Sequence, residues 1–273
     1  MTEMRITGRT GIMLMLADPV AHVVGSLRLN DRFAAEGLDI AVSPLHVAPA
    51  DLATVIDALR RMRNVLGFGV TIPHKIAVLP LLDATTPRAA RIGAVNFVRR
   101  DAEGRLTGDN LDGRGFVDGL AVQGIALRGR RVLQLGAGGA GRAVAFGIAE
   151  AGARELVIHN RTNERAEALA ADVAAAYPDC SARAGTNDPS GFDLVVNTTS
   201  MGMHEGDALP LDVAHLAHLA AGTDVAEIIM TPAITPLLAA AQARGCRISL
   251  GTSMLDAQYV LVKELLGIGA PAA

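Results

Sequence analysis

The chain has 273 residues, half of them hydrophobic, which allows one large or two ordinary domains with a proper core and excludes disorder as the general state. A formal net charge of −3 leaves no broad basic footprint for nucleic acid, and 3% aromatic residues leave no stacking platform for single strands. Two cysteines, Cys180 and Cys246, make no disulfide framework and read as small buried hydrophobes, which fits a reducing cytoplasm.

Met1 to Arg9 is polar and lacks the apolar stretch of a signal peptide. The later apolar runs are too short, or too broken by glycine and charge, to span a membrane. Ile12-Met13-Leu14-Met15-Leu16 reads as a buried strand ended by Asp18-Pro19. A helix is expected through Gly25 to Glu36, then a strand at Leu38 to Val42. In Asp51 to Arg60 the apolar residues Leu52, Val55, Ile56 and Leu59 share one helical face, with Asp51 as the expected N-cap. Gly67 to Ile72 is a third strand, running into Pro73-His74-Lys75 and another helix. Gly93 to Arg99 and Leu106 to Asp109 bracket the turn Asp101-Ala102-Glu103-Gly104, a hairpin signal. Further strands are expected at Val132 to Leu135, Glu155 to His159, Asp193 to Asn197, Val225 to Met230 and Arg247 to Leu250. The alanine-rich stretch 166–176 is helical by propensity, and a last helix covers Asp256 to Leu266. Strands alternate with helices before residue 112 and again from Val132, so two α/β units in series are predicted.

The second unit opens on Leu135-Gly136-Ala137-Gly138-Gly139-Ala140-Gly141. Gly136, Gly138 and Gly141 keep the G-x-G-x-x-G spacing of a dinucleotide fold: a tight turn, room for a pyrophosphate, and close packing of helix on strand. The free N–H groups at the helix start then face the phosphates. Glycines also fill ordinary turns, but a second strand follows and ends in Asn160-Arg161-Thr162. An NAD site would carry an acid there for the ribose 2′-hydroxyl. Arg161 instead offers a fork of donors to a 2′-phosphate, Arg165 follows one helical turn later, and Thr162 is placed to donate its hydroxyl. The cofactor predicted is NADP.

Three further residues are candidates for chemistry, each with an ordinary alternative. Lys75 stands just past a proline at a helix start, where a desolvated lysine beside a cationic ring can serve as a base. From spacing alone it reads as a first-turn surface lysine. Asn96 reads equally as a satisfied strand-end amide, and Asp112, before Gly113, as a turn residue or helix cap. The seven histidines do not gather at metal spacing. His215 and His218 lie three apart in an expected helix and read as a surface pair.

Taken in order, the motifs are Thr71 to Lys75, Ala94-Val95-Asn96, Asn110-Leu111-Asp112-Gly113, the glycine turn, Asn160-Arg161-Thr162, Asn197-Thr198-Thr199 with Gly202-Met203, Thr235-Pro236-Leu237-Leu238, and Gly251-x-x-Met254-Leu255-x-x-Gln258. This ordered set spans nearly the whole chain and resembles the shikimate dehydrogenase family. The resemblance implies an α/β chain with an N-terminal substrate and catalytic domain (1–112, completed by 252–273), a Rossmann NADP domain (113–251) and a cleft between them. It implies reversible hydride transfer between NADP and a ring hydroxyl or ketone of shikimate or a related cyclic polyol, as in aromatic amino acid biosynthesis. Lys75 and Asp112 match the family's catalytic pair, with Lys75 taking the proton and Asp112 holding lysine and substrate hydroxyl in line. Thr71, Asn96 and Gln258 match substrate positions. Gly136, Gly138, Gly139, Ala140, Asn160, Arg161 and Thr162 match cofactor positions, with Arg165 beside them as a second cation, and Asn197, Thr198 and Met203 match the nicotinamide side. No metal is needed, because Lys75 supplies the proton transfer that a zinc would otherwise assist. The partner expected is a small cyclic polyol, with neither nucleic acid nor membrane, for a monomer or homodimer.

The departures from the family pattern gather at one end of the substrate. The family's Ser-x-Ser-Pro, which clamps a carboxylate, is met by Val23-Val24-Gly25-Ser26, although a one-residue gap would bring Ser26 into reach. A family tyrosine is Met230, an asparagine is Gly69, and the threonine of Asn-Thr-Asp-Gly is Leu111. His22 and Arg28 are nearby candidates to replace the lost donors. The expectation is a changed group at the carboxylate position. The alternatives are a regulatory ligand-binding homologue that keeps the fold and NADP site, and an NADP dehydrogenase of another small molecule.

Overall fold

Alternation along the first strand decides how the N-terminal unit is layered. In the computed structural model, which describes residues 6–21 and 23–268, β1 (Gly11–Ala17) sends Met13 and Met15 to one face and Leu16 to the other. The first five residues, His22 and residues 269–273 lie outside the described residues, and with them part of the polar N-terminus and the last residues of the segment 252–273. The remaining elements before residue 111 are α1 (Gly25–Ala35), β2 (Ile40–His46), α2 (Leu52–Arg61), β3 (Val65–Val70), α3 (His74–Ala77), β4 (Ala84–Thr85), α4 (Pro87–Ile92), β5 (Phe97–Arg100) and β6 (Leu106–Asp109). They form one mixed sheet of order β2-β1-β3-β5-β6-β4, with β1 parallel to both neighbours and β5 antiparallel to β3 and β6.

The expected helix at 51–60 forms, but Asp51 makes no side-chain cap bond. A 3-10 turn at Pro49–Asp51 already puts Asp51 in the helical region, so its carboxylate does not reach back over the first free N–H groups. The second strand begins two residues later than expected and runs on to His46, because it pairs with all of β1. Leu52, Ile56 and Leu59 pack with Leu16, Phe68 and Val98 on one face of the sheet. On the other face Leu29 and Phe33 meet Met13, Met15, Tyr259 and Val262.

The second compact unit starts at Asp112 and ends at Ala257. Its elements are α5 (Asp112–Val122), β7 (Arg131–Leu135), α6 (Gly139–Glu150), β8 (Glu155–His159), α7 (Asn163–Ala176), β9 (Ser181–Ala184), β10 (Leu194–Asn197), β11 (Asp224–Glu227), α8 (Pro236–Gln242), β12 (Arg247–Ser249) and the start of α9 (Thr252–Leu266). All ladders are parallel, in the order β12-β11-β10-β7-β8-β9. This is the doubly wound sheet the glycine turn predicts, with its order reversing between β7 and β10.

Helices α5 and α6 cross at backbone contact. A Cβ on Gly147 would stand 2.6 Å from the Gly113 carbonyl oxygen, so only glycine allows this approach. His215 and His218 fall in a 3-10 helix rather than an α-helix; their rings stack, and His218 bonds Asp188. From Gln258 onward α9 belongs to the first unit, where Tyr259 packs on Phe33 and Lys263 pairs with Glu36. Among the described residues no helix is long and apolar enough to cross a membrane.

Candidate active site

In the first unit, the C-terminal ends of β1, β2 and β3 meet where the strand order reverses around β1, the place where open α/β sheets bind ligands. Backbone bonds stitch these ends together: Thr71 N–H donates to Leu16 O (3.0 Å), Asp18 N–H to Ile72 O (3.1 Å) and Val47 N–H to Ala17 O (3.0 Å). His74 is fully buried, and its Nε2 donates to Val47 O at 2.8 Å. That bond fixes the proton on Nε2, and the buried Nδ1 has no partner among the described residues. Sequence reasoning passed over His74, yet it pins α3 to the end of β2 and so fixes where the half-buried Lys75 stands. Helix α3 has four residues, a single turn, so little macrodipole acts on Lys75.

Lys75 O accepts Val95 N–H (2.8 Å), and Asn96 O accepts Val70 N–H (2.8 Å). Thr71, Lys75 and Asn96 are therefore brought together by backbone. Asn96 is buried and its Oδ1 accepts Leu111 N–H at 2.8 Å, so the residue also shapes the turn before Asp112. Asn110 Nδ2 reaches Ala94 O (3.1 Å) in the same turn. Beneath it lies an ion pair the sequence did not reveal: Arg88 Nη2 to Asp109 Oδ2 at 2.6 Å, with the Thr86 hydroxyl donating to Asp109 Oδ1 at 2.6 Å. Thr86-Pro87, a cap and first-turn proline, was the readable signal for α4. Gln258 is buried in α9. Asp112 is buried at the first position of α5 and belongs to the second unit.

The departures from the family pattern have different physical reasons. Leu111 is buried in the core, and Val23 packs against that same cluster. A Cβ on Gly69 would overlap the Met15 thioether and crowd Phe97, so a side chain there needs the flexible end of Met15 to move. A Cβ on Gly25 meets nothing within 4 Å, so packing does not explain the missing serine there. Ser26 is buried in the first turn of α1. Met230 is half-buried in the second unit.

The glycine turn of the second unit is held from below. Gly136 has φ 108°, and a Cβ there would stand 2.7 Å from Thr198 Oγ1. Gln134 is fully buried and its Nε2 donates to the carbonyls of Gly136 and Gly141, both at 2.9 Å. Thr198 Oγ1 donates to Leu135 O (2.9 Å) and Gly136 O (3.1 Å). Asn160 Oδ1 accepts Ala137 N–H (3.1 Å), tying the turn to the tip of β8. Gly138 and Gly139 have open space where a Cβ would stand, at the start of the twelve-residue α6. Arg161, Thr162 and Arg165 are all exposed at the β8 tip, and no ion pair engages either arginine among the described residues. Open glycines, a helix N-terminus and two unpaired cations fit a dinucleotide with a 2′-phosphate.

Asn197 and Thr198 turn inward rather than toward a ligand. Asn197 Nδ2 donates to Glu227 Oε2 (2.9 Å) and Met201 O (3.2 Å), while its Oδ1 accepts from the Thr199 N–H and hydroxyl. Met203 is exposed on the same loop, beyond Gly202. Glu227 lay inside the expected strand Val225 to Met230, but β11 ends at Glu227, because its carboxylate takes the next two N–H groups. An acid amid an apolar strand was the available signal. Burial pushes the Glu227 carboxyl up from 4.5 to about 7, against the hydrogen bonds from Asn197, Ile229, Ile228 and Thr235. The folded state therefore holds a proton that the unfolded chain has lost between these values. Stability from this group is full below 4.5, falls as pH rises to about 7, and is level above it; the whole change is about 3 kcal/mol. Denaturant unfolding at about pH 4 and about pH 8 should show the wild type losing about that much relative to Glu227→Gln. An unchanged difference would mean the carboxyl does not titrate in this window.

Comparison with known proteins agrees with this geometry. The model of the shikimate dehydrogenase substrate-binding domain matches residues 15–98, and that of shikimate/quinate 5-dehydrogenase matches residues 120–201. The shikimate dehydrogenase (NADP(+)) of Geobacter metallireducens is 41% identical over 263 residues, 93% of this chain and 90% of the relative. The Thermus thermophilus shikimate 5-dehydrogenase, solved with NADP(H) and shikimate, superposes with a TM-score of 0.85 at 33% identity, covering 94% of this chain and 93% of that one. A ligand-free 5-ketofructose reductase from a Gluconobacter strain superposes with a TM-score of 0.87, also at 33% identity, covering 95% and 94%. With a doubly wound sheet, the motifs in order and relatives this similar over nearly its whole length, the chain belongs to the shikimate dehydrogenase family.

Proposed function

We propose that the protein is an NADP-dependent oxidoreductase that passes hydride reversibly between the cofactor and a ring hydroxyl or ketone of shikimate or a related cyclic polyol. The observation that carries this reading is the β8 tip: Asn160-Arg161-Thr162 in place of an acid, with two exposed arginines, Arg161 and Arg165, that no ion pair engages among the described residues, beside an open glycine turn. The curated relatives carry the name shikimate dehydrogenase (NADP(+)), which supports the same activity. Arg161, Arg165 and Thr162 hold the 2′-phosphate, and the N–H groups at Gly138, Gly139 and Ala140 hold the pyrophosphate. The bound cofactor supplies the hydride acceptor or donor. In oxidation, the substrate hydroxyl gives its proton to Lys75 as the carbon gives up its hydride. Asp112 orients lysine and an adjacent hydroxyl, and Thr71, Asn96 and Gln258 place the ring. A small polyol substrate and two buried cysteines fit a cytoplasmic protein.

Of these substrates, a cyclic polyol with a neutral group where shikimate has its carboxylate fits this chain best. Val23 packs into the core, Gly25 leaves open space without a donor, and Met230 brings no hydroxyl. The likeness to a 5-ketofructose reductase supports this, since a ketose has no carboxylate. Each lost charge-assisted bond is worth about 1.5–3 kcal/mol, so shikimate should bind about two orders of magnitude or more weaker than a fitting neutral polyol. Nicotinamide absorbance with shikimate, quinate, an aminoshikimate-type analogue and neutral ring polyols, with NADP and NAD side by side, tests both parts. Efficient turnover of shikimate would sink the neutral-group assignment. Intact NADPH binding without turnover of any substrate would favour a non-catalytic binding homologue.

A further inference from the structure

Glu227 ends β11 at 1% exposure, and among the described residues every group that bonds it is a neutral donor. Oε1 accepts the N–H groups of Ile228 (2.9 Å) and Ile229 (3.1 Å), and Oε2 accepts Asn197 Nδ2 (2.9 Å) and the Thr235 hydroxyl (3.1 Å). The amide of Asn197 cannot be turned over, because its Oδ1 already accepts the Thr199 N–H (3.0 Å) and hydroxyl (2.7 Å). An acceptor at 227 thus fixes Asn197, and Asn197 fixes the loop through Thr199 and through Met201 O. That loop carries the exposed Met201 and Met203, with Gly202 set against Thr235 and Pro236 at the start of α8. One buried carboxylate therefore joins the end of β10, the loop after it and the cap of α8.

The location gives this joint a function. The two halves of a doubly wound sheet each receive one half of a dinucleotide at their C-terminal edge. With the 2′-phosphate at the tip of β8, the edge of β10 and β11 takes the nicotinamide half. We propose that Glu227 is a positioning residue: its Oε2 accepts from the Asn197 amide, orients Asn197 and so holds the loop 198–203 in the shape that receives the nicotinamide half of NADP. This rests on the NADP assignment made above.

Glu227→Gln keeps shape and volume but turns one oxygen into an amide nitrogen that cannot accept, so either Asn197 or the N–H groups of Ile228 and Ile229 lose their acceptor and the joint loosens. NADPH binding, followed by nicotinamide fluorescence, should weaken about tenfold or more, and kcat should fall with it. Adenosine 2′,5′-bisphosphate, which lacks the nicotinamide half, should bind as to wild type. Glu227→Asp keeps an acceptor on a shorter stem and should recover part of the loss. Thr199→Val removes the opposite hold on Asn197, and the same selective loss is expected even if Glu227→Gln does not fold. Wild-type NADPH affinity and kcat in Glu227→Gln, or in a folded Thr199→Val, would overturn the proposal. Equal weakening of both nucleotides would do so too, since the role would then be merely structural. Wild-type protein that bound neither nucleotide would overturn the NADP assignment as well, whereas failure confined to the variants overturns only the role of Glu227.

Discussion

Lys75→Ala is expected to lower kcat by about 10²–10⁴-fold, the usual contribution of a positioned general base, while NADPH binding stays at the wild-type level. The substitution removes the side chain alone. What places the segment is backbone and neighbour: Lys75 O to Val95 N–H, His74 N–H to Thr71 O, and the buried His74 ring on Val47 O. All of these survive in the variant, so a loss of rate without a loss of stability is the signature of chemistry. Lys75→Arg restores the charge but not a group that gives up its proton, so it should recover little. Steady-state rates with the best substrate of the panel, beside a fluorescence titration with NADPH, decide the matter. A wild-type kcat in Lys75→Ala would remove the lysine from the proton path.

Arg161→Ala should weaken NADP by about ten- to a hundredfold and NAD hardly at all. Arg161 is exposed and engaged in no ion pair among the described residues, so its loss should leave the unfolding midpoint unchanged. Arg165 lies one helical turn further on α7, and Arg161→Ala with Arg165→Ala should lose still more of the preference. The effect should shrink as salt rises, because the arginine and the 2′-phosphate meet at the surface. Parallel KM measurements for NADP and NAD supply the test. Equal weakening of both would show that the β8 tip does not read the 2′-phosphate.

Signals carried by local chemistry were readable in the chain. Asp101 to Gly104 marked the hairpin of β5 and β6, and Gly136 with Gly138 and Gly141 marked the turn between β7 and α6. The short strands β4 and β9 were not expected from sequence. Each sits at a sheet edge, and β4 has two residues, too few for any period to show. The expected strand Val225 to Met230 was too long because hydrophobicity continues past Glu227, whereas the backbone turns in to bond the carboxylate.

The sequence by itself determined which residue types stand at each turn and strand end, and hence the fold class, the family and the cofactor. Those follow from spacing, charge and conformational freedom, which act over a few residues. Only the tertiary structure decided which side chains are spent on the protein itself. Asn197 and Thr198 turn inward because buried donors need acceptors, and the acceptors, Glu227 Oε2 and the carbonyls of Leu135 and Gly136, come from other strands. His74 became a pin because Val47 O lay within reach. Gly69 is crowded by Met15 and Phe97, while Gly25 faces open space, a difference made by neighbours distant in the chain. Such pairings depend on which strands lie side by side, and no local pattern records that.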